Sequence, residues 1–447
     1  MRERKSLPSW LVSAIPAPLL EKTPKTAKSH HDAAQDYLTG VRGCLAIMSF
    51  LWVFMQTFAP GATYGSSDTV SPSWQAALRK SLSVLFWNGS LIYSSIIFLS
   101  ARTVCLPFLL NPTKLQLASS VFRRGLRLWF PTAAALVVCY IAFSNSSPQY
   151  LADFAATTGT AAVNNGTMVD SLYIMPTSIV NFNSIFEIFW VSHNFSYQAG
   201  NWAFPTQTLW VITAIFQQSY TVFAVMVIIP FTRKSWRLSG ATFFILTAWW
   251  VYSWAWFSIS GLLLADMIVS MDFKAKFLAN RIWTVSVGLL CMAAGFAMEF
   301  IWATIRPELR NAEIKYHTGL YSTGGINTTV DATAPQLRAD NYLVIVGFFV
   351  LLESTHFLQK AFANPVFTFL GRRSLSYFLL QSIIVYTLGI RVAMEIMNGS
   401  IETYSRASGV AFIASLLVTV VAGEVFYWLL DVPSQQFARL AFAWILE

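Results

Sequence analysis

Charged residues are scarce in this sequence and make up only 11% of its 447 residues. Soluble domains carry about 25% charged residues, so this chain lacks the polar surface that a protein needs in water. With 55% apolar and 15% aromatic residues, it is also too apolar for a disordered protein, a coiled coil or collagen. The composition predicts a membrane protein that crosses the bilayer several times.

Cysteine and histidine are also rare. The four cysteines lie in or beside apolar runs, without the spacing of a zinc site or a disulfide framework. Three histidines follow the polar N-terminal region, namely His193, His317 and His356. We therefore expect no metal site, and few imidazoles are available as a base at neutral pH.

Thirty basic residues against twenty-one acidic ones give a formal net charge of +9. In so apolar a chain, basic residues more often flank the cytoplasmic ends of membrane helices than bind nucleic acid. We expect membrane lipids to be partners of these charges, and no nucleic acid.

Apolar runs of about twenty residues, the length that spans a bilayer, predict an all-α fold with ten transmembrane helices. The runs cover residues 41–60, 82–101, 128–146, 208–231, 239–257, 258–272, 282–303, 342–360, 375–396 and 408–430. We predict a disordered cytosolic tail over 1–36, a membrane domain over 37–440 and a cytosolic C-terminus over 441–447. The stretch Leu430–Ser434 contains a proline, which predicts the end of the last helix.

The positions of lysine and arginine predict the orientation. The basic clusters all fall on one side of a ten-span arrangement, whereas residues 128–232 contain no lysine or arginine, so both termini are predicted to be cytosolic. Five glycosylation sequons map to the opposite side, which predicts a eukaryotic secretory-pathway membrane such as the endoplasmic reticulum. Their asparagines are Asn145, Asn165, Asn194, Asn327 and Asn398.

Six segments, in order along the chain, resemble the acyltransferase-3 family of membrane acyltransferases, especially its fungal members. The first, Tyr37–Ile47, contains Gly40-Val-Arg-Gly43, which is similar to the Gly-Leu-Arg-Gly opening of the family. The others are Ile97–Arg102, Ser120–Pro131 with its three arginines, Leu209–Ile212, Phe369–Gln381 and Leu430–Ser434. The resemblance covers residues 37 to 440 and implies transfer of an acyl group from acyl-CoA, as co-substrate, to a hydroxyl of a small metabolite, sugar or lipid. It implies no bound cofactor.

The chain departs from the family pattern at four ionisable positions. Thr39 stands in place of an acidic residue, Ile215 in place of a glutamate and Gln381 in place of a histidine, and the histidine expected after Arg42 has no counterpart. An alternative is therefore a catalytically inactive relative that binds or translocates an acyl carrier or lipid. A transporter is a third hypothesis, against which the lack of an inverted repeat is evidence.

Arginines are the candidates for binding the phosphates of coenzyme A, because a guanidinium is always charged and binds phosphate through two parallel hydrogen bonds. Arg123, Arg124 and Arg127 enter the third predicted span, and Arg42 enters the first. We add Ser100 of the Ile97–Arg102 segment on the strength of the resemblance. Anchoring to anionic lipids is the alternative interpretation of the three clustered arginines.

Four residues are the catalytic candidates. His356 follows Glu353 by three residues, which predicts that both lie on one helix face. Asp266 is a carboxylate within a predicted span, where a charge is costly without a function or a partner. Gln381 can donate and accept hydrogen bonds but cannot take a proton at neutral pH. A role in packing helices together is the alternative for Gln381.

Overall fold

The computed structural model describes residues 36–66, 71–144, 149–160, 169, 172–191, 195–271, 273–313 and 335–446. Within these residues every regular element is a helix and none is a strand. The all-α prediction is thus confirmed for the described part of the chain. The predicted tail lies outside the described residues except for Asp36, at which the first helix begins.

The described residues of the first half of the chain form eleven α-helices. They are α1 (Asp36–Phe58), α2 (Ser73–Lys80), α3 (Leu82–Phe86), α4 (Gly89–Val104), α5 (Leu106–Leu110), α6 (Lys114–Ser144), α7 (Gln149–Thr160), α8 (Ser178–Trp190), α9 (Ala199–Trp202), α10 (Trp210–Ile228) and α11 (Lys234–Trp250). Short 3₁₀ turns join them at Pro60–Ala62, Phe195–Tyr197, Pro205–Gln207 and Ile229–Phe231.

The second half forms ten more. They are α12 (Ala255–Ser270), α13 (Phe273–Ala279), α14 (Arg281–Thr304), α15 (Ala339–Ser354), α16 (His356–Phe362), α17 (Pro365–Arg372), α18 (Ser374–Ile384), α19 (Ile390–Met397), α20 (Tyr404–Phe426) and α21 (Val432–Leu446). Two π-helices, Val385–Gly389 and Tyr427–Asp431, connect α18 to α19 and α20 to α21, and 3₁₀ turns lie at Pro307–Asn311 and Ile401–Thr403.

Among the described residues, seven helical segments are long and apolar enough to cross a bilayer, and an eighth is added if the bent pair α15 and α16 counts as one span. The chain is a multi-pass membrane protein, but the predicted count of ten is not confirmed. The two adjacent segments predicted over 239–272 account for the difference between ten and eight. Helices α11 and α12 have 17 and 16 residues, so each rises only about 25 Å, less than the thickness of about 30 Å of the hydrocarbon layer.

The predicted end of the last helix at Leu430–Ser434 is wrong. The helix passes through the π-helix Tyr427–Asp431 and continues as α21 to Leu446. Pro433 is the second residue of α21, and the helix continues through it directly after the π-helix. The last helical segment therefore extends well beyond the predicted span 408–430, and its additional turns contribute to the candidate site.

Glycines bring α1 and α17 into backbone contact. A Cβ atom on Gly43 would lie 2.1 Å from the carbonyl oxygen of Phe367, and one on Gly371 would lie 1.8 Å from that of Thr39. Only a residue without a side chain allows helices to approach so closely. These glycines belong to two of the segments that resemble the family, and their contact fixes where Arg42 and Arg372 lie.

Candidate functional site: an arginine-lined cavity

A cavity of about 320 Å³ lies among helices α1, α4, α5, α6, α10, α17, α18 and α21. Among the described residues, its lining contains one carboxylate, Asp431, and six arginines. The arginines are Arg42, Arg123, Arg124, Arg127, Arg372 and Arg439. Such an excess of guanidinium groups over carboxylates suits a ligand that carries several negative charges.

Arg124 is held by hydroxyl groups of two other helices. Its Nη2 donates to the Oγ of Ser100 at 2.6 Å, and its Nε donates to the Oγ of Ser219 at 2.9 Å. These neutral acceptors orient the guanidinium without cancelling its charge. Ser100 thus contacts the arginine cluster, and it also lines the cavity.

The neighbours of Arg124 on α6 take different positions. Arg123 donates from Nε to the carbonyl oxygen of Ser119 at 3.2 Å, one turn earlier in the same helix. Arg127 is exposed where the cavity opens. Lys114–Ser144 is one continuous helix with Pro131 inside it, so the three arginines lie within the helix rather than ahead of it.

Arg42 faces the cavity from α1 and donates from Nη2 to the Oγ1 of Thr103 at 3.3 Å. Among the described residues no carboxylate lies within 4.0 Å of Arg42, Arg124 or Arg127. Arg42 and Arg124 are half-buried, and a half-buried cation without a close counter-ion is costly to place within a membrane protein. The cost is recovered if an anionic ligand provides the missing charge.

Sequence analysis missed two of the six arginines. Arg372 is exposed at the end of α17, with Asp36 at 3.8 Å from its guanidinium. Arg439 lies on α21, beyond the predicted end of the last helix, so it was assigned no role. The helical spacing of Asp431, Gln435 and Arg439 could have indicated that they share one face, provided that the helix was continued through Pro433.

Asp431 is buried and lies in the π-helix that precedes α21. Its Oδ1 accepts a hydrogen bond from Gln435 at 3.0 Å. Short π-helical insertions are rare and are frequent at functional sites. Here the insertion changes the register of the helix, and the next turn carries Gln435, Ala438 and Arg439 into the lining.

Apolar side chains also line the cavity. Among them are Ile96, Leu99, Val211 and Ile212. Ser49 of α1 also lines it and accepts a hydrogen bond at 2.6 Å from the Nε2 of Gln381. Gln381 itself is fully buried and does not reach the lining, so the predicted site residue sits one layer behind the cavity.

The predicted pairing of Glu353 with His356 on one helix face is wrong. Helix α15 ends at Ser354, Thr355 is extended, and α16 begins at His356 with a bend of 102° between the two helices. His356 is exposed, whereas Glu353 is buried and accepts hydrogen bonds from Arg102 at 2.8 Å and Tyr37 at 2.9 Å. Neither residue lines the cavity.

Asp266, the other predicted carboxylate, also lies away from the cavity. It is buried and forms an ion pair with the Nη1 of Arg237 at 2.9 Å. The partner accounts for its burial, because an intramembrane charge is tolerated when it is paired. The structure therefore brings together the predicted arginines and Ser100, but not the predicted catalytic residues.

Asn398 is the one predicted glycosylation site within the described residues. It is exposed, adopts a left-handed conformation with φ of 43° and precedes Gly399 at the end of α19. Asn145, Asn165, Asn194 and Asn327 lie outside the described residues, as do His193 and His317. Their predicted positions remain predictions.

Comparisons with known proteins add no assignment: no protein-family model, no curated protein and no solved structure matches this chain.

Proposed function

We propose that the arginine cavity binds the phosphate groups of an acyl-CoA and that this protein transfers the acyl group to a hydroxyl of a small metabolite, sugar or lipid. The observation that carries the proposal is the set of six cavity arginines against one carboxylate. Coenzyme A carries several phosphates at one end and an uncharged thioester at the other. A cavity with a cationic part and an apolar part suits both ends.

The resemblance to acyltransferase-3 proteins supports the same proposal from the sequence. Arg42, Arg124 and Gly371 belong to segments that carry that resemblance, and all three line the cavity. We further propose that the protein resides in the endoplasmic reticulum membrane of a fungal-like eukaryote, with the cavity open to the cytosol, where acyl-CoA is available. The basic-residue distribution and the sequons support this location.

A second candidate function is binding or translocation of an acyl carrier without transfer. It is favoured by the cavity lining, in which the described residues include no histidine and one carboxylate. General base catalysis needs a group that takes the proton of the hydroxyl, so the two candidates differ in turnover and not in binding.

Purified protein separates the candidates. Coenzyme A and acetyl-CoA binding are measured by calorimetry, and release of free coenzyme A is followed in the presence of cell-extract metabolites as acceptors. Binding with ester formation supports the transferase, and binding without turnover supports the second candidate. Absence of binding to either compound contradicts both. Metabolite profiles of a strain that lacks the gene identify the acceptor through the missing ester.

A further inference from the structure

Ser49 is one of the uncharged polar residues that line the cavity. It lies on α1 seven residues after Arg42, which places it two turns, or about 10 Å, further along the same helix. Its side chain lines the cavity although the residue is only 1% exposed. Ala46, on the intervening turn, lines the same wall.

One buried side chain forms a hydrogen bond to the Ser49 hydroxyl. Gln381 of α18 donates its Nε2 hydrogen to the Oγ at 2.6 Å. Gln381 is buried and absent from the lining, so it acts on a ligand only through Ser49.

The hydrogen bond from Gln381 determines which further hydrogen bond the Ser49 hydroxyl can form. An amide N–H can only donate, so the Oγ of Ser49 is the acceptor of the bond from Gln381. A hydroxyl that accepts in this way keeps one hydrogen to donate. Thr103, another hydroxyl of the lining, donates to backbone carbonyl oxygens of its own helix.

The position of Ser49 favours an uncharged hydrogen-bond acceptor in the ligand. Ser49 lies about 10 Å along α1 from Arg42, and the same lining contains the apolar residues Ala46, Ile212 and Phe378. A phosphate would lose its hydration there with a single neutral donor in return, which is unfavourable. A carbonyl oxygen requires only the one hydrogen bond.

We propose that Ser49 donates a hydrogen bond to the thioester carbonyl oxygen of the bound acyl-CoA, and that Gln381 is the positioning residue that orients the Ser49 hydroxyl. The inference rests on the proposed function, because it takes acyl-CoA as the occupant of the cavity. It gives Ser49 a task that the arginines cannot perform, which is to distinguish acyl-CoA from free coenzyme A.

The experiment compares affinities for acetyl-CoA and for coenzyme A in the wild type, Ser49→Ala, Ser49→Thr and Gln381→Met. Ser376→Ala is the matched control, since Ser376 is a buried serine on the same helix as Gln381 and lies outside the lining. Ser49→Ala should weaken acetyl-CoA binding about threefold to tenfold, the value of one hydrogen bond. Coenzyme A affinity should change less than twofold.

Infrared difference spectra with acetyl-CoA labelled by ¹³C at the thioester carbonyl provide a readout that packing alone does not move. A donated hydrogen bond lowers the carbonyl stretching frequency, so the band should shift upward in Ser49→Ala and stay near the wild-type position in Ser49→Thr and Ser376→Ala. Gln381→Met removes the orienting bond and keeps the volume. This variant should broaden the carbonyl band and shift it upward by less than Ser49→Ala does.

The outcomes separate the inference from the proposed function. If Ser49→Ala binds coenzyme A normally and leaves both the acetyl-CoA affinity and the carbonyl band unchanged, the inference is wrong and the arginine cavity remains the coenzyme A site. If the wild type binds neither compound, the proposed function is wrong. Should Ser49→Ala fail to fold, a carbonyl band in Gln381→Met identical to that of the wild type overturns the positioning role.

Discussion

Two groups of arginines in this protein differ in their partners. Arg102, Arg237 and Arg338 each form an ion pair with a buried carboxylate at 2.8 to 2.9 Å. In the group that lines the cavity, Arg372 has the carboxylate of Asp36 at 3.8 Å, and Arg42, Arg124 and Arg127 have no carboxylate of the described residues within 4.0 Å. Arg102 and Arg338 are also buried, whereas the cavity arginines are half-buried or exposed. A cavity arginine without a close carboxylate is the better guide to a ligand site.

Arg338 is an example of an arginine with a structural role, because it pairs with the buried carboxylate of Asp340. Its Nη2 and Nε donate to the Asp340 carboxylate at 2.9 to 3.2 Å, and the guanidinium lies 4.8 Å from the ring centroid of Trp302. Arg338 is 2% exposed and Asp340 is fully buried. The third nitrogen, Nη1, donates to the carbonyl oxygen of Arg310 at 3.0 Å. Arg124 of the cavity, by contrast, has hydroxyl groups as its hydrogen-bond partners.

The largest effect is expected from breaking a pair. Asp340→Ala leaves Arg338 buried without its counter-ion, which costs about 3–5 kcal/mol of stability. Thermal unfolding in detergent, followed by tryptophan fluorescence, measures the loss. Replacing both Arg338 and Asp340 by apolar residues should destabilise less than Asp340→Ala alone, since no charge is then left unpaired. Equal stability of Asp340→Ala and wild type would contradict the distinction between the two groups.

Removing a cavity arginine should affect binding and not folding. Arg124→Ala and Arg127→Ala are each expected to weaken coenzyme A binding by about 1.5–3 kcal/mol, the value of a hydrogen bond to a charged group. Calorimetry measures the affinity and thermal unfolding measures the stability. Arg281→Ala is the control, because Arg281 is an exposed arginine at the start of α14 outside the cavity. Unchanged affinity in both cavity variants would reduce these arginines to lipid anchors.

A smaller effect is expected in the pH dependence of stability, through Glu313 near Arg338. Burial, together with the nearby Asp340, raises the pKa of Glu313 to about 7. This carboxylate accepts a hydrogen bond from the backbone N–H of Ala339 at 2.8 Å, at the first turn of α15. The folded state therefore binds a proton more tightly than the unfolded chain does, and stability should fall as pH rises from about 4.5 to about 7.

The expected loss is on the order of 1 kcal/mol, reduced from the full shift because the side chain keeps some contact with water. Unfolding temperatures across this pH range measure it, and Glu313→Gln should make the curve flatter over the same range. If the unfolding temperature of the wild type rises over this pH range, the pKa of Glu313 is not raised in the folded protein.

The smallest effect is expected at His356. Since His356 is exposed and outside the cavity, His356→Ala should change stability by less than about 0.5 kcal/mol and leave coenzyme A binding unchanged. Glu353→Ala should behave differently, because Arg102 and Tyr37 lose their common acceptor. A large loss of binding or turnover in His356→Ala would restore this histidine as a site residue.

The sequence alone predicted much of the fold and those cavity residues that lie on α1, α4 and α6. Apolar runs are local signals, and they correctly indicated an all-helical membrane protein. The arginines of α1 and α6, together with Ser100, were grouped from sequence and do line one cavity. Two short helices in place of full spans, and the continuation of the last helix beyond Pro433, were not predicted, because helix length and a π-helical insertion are decided by packing.

The sequence by itself determined which side chains are available, and only the tertiary structure decided which of them meet. Gln381 and Ser49 are 332 residues apart, and Glu353 and Arg102 are 251 apart. No periodicity in the sequence reports such contacts, because they depend on how whole helices are arranged in the bundle. The break at Thr355 sends Glu353 inward to Arg102 and His356 outward. The glycine contact between α1 and α17 brings Arg42 and Arg372 to one cavity, since backbone can approach backbone only where both helices lack side chains.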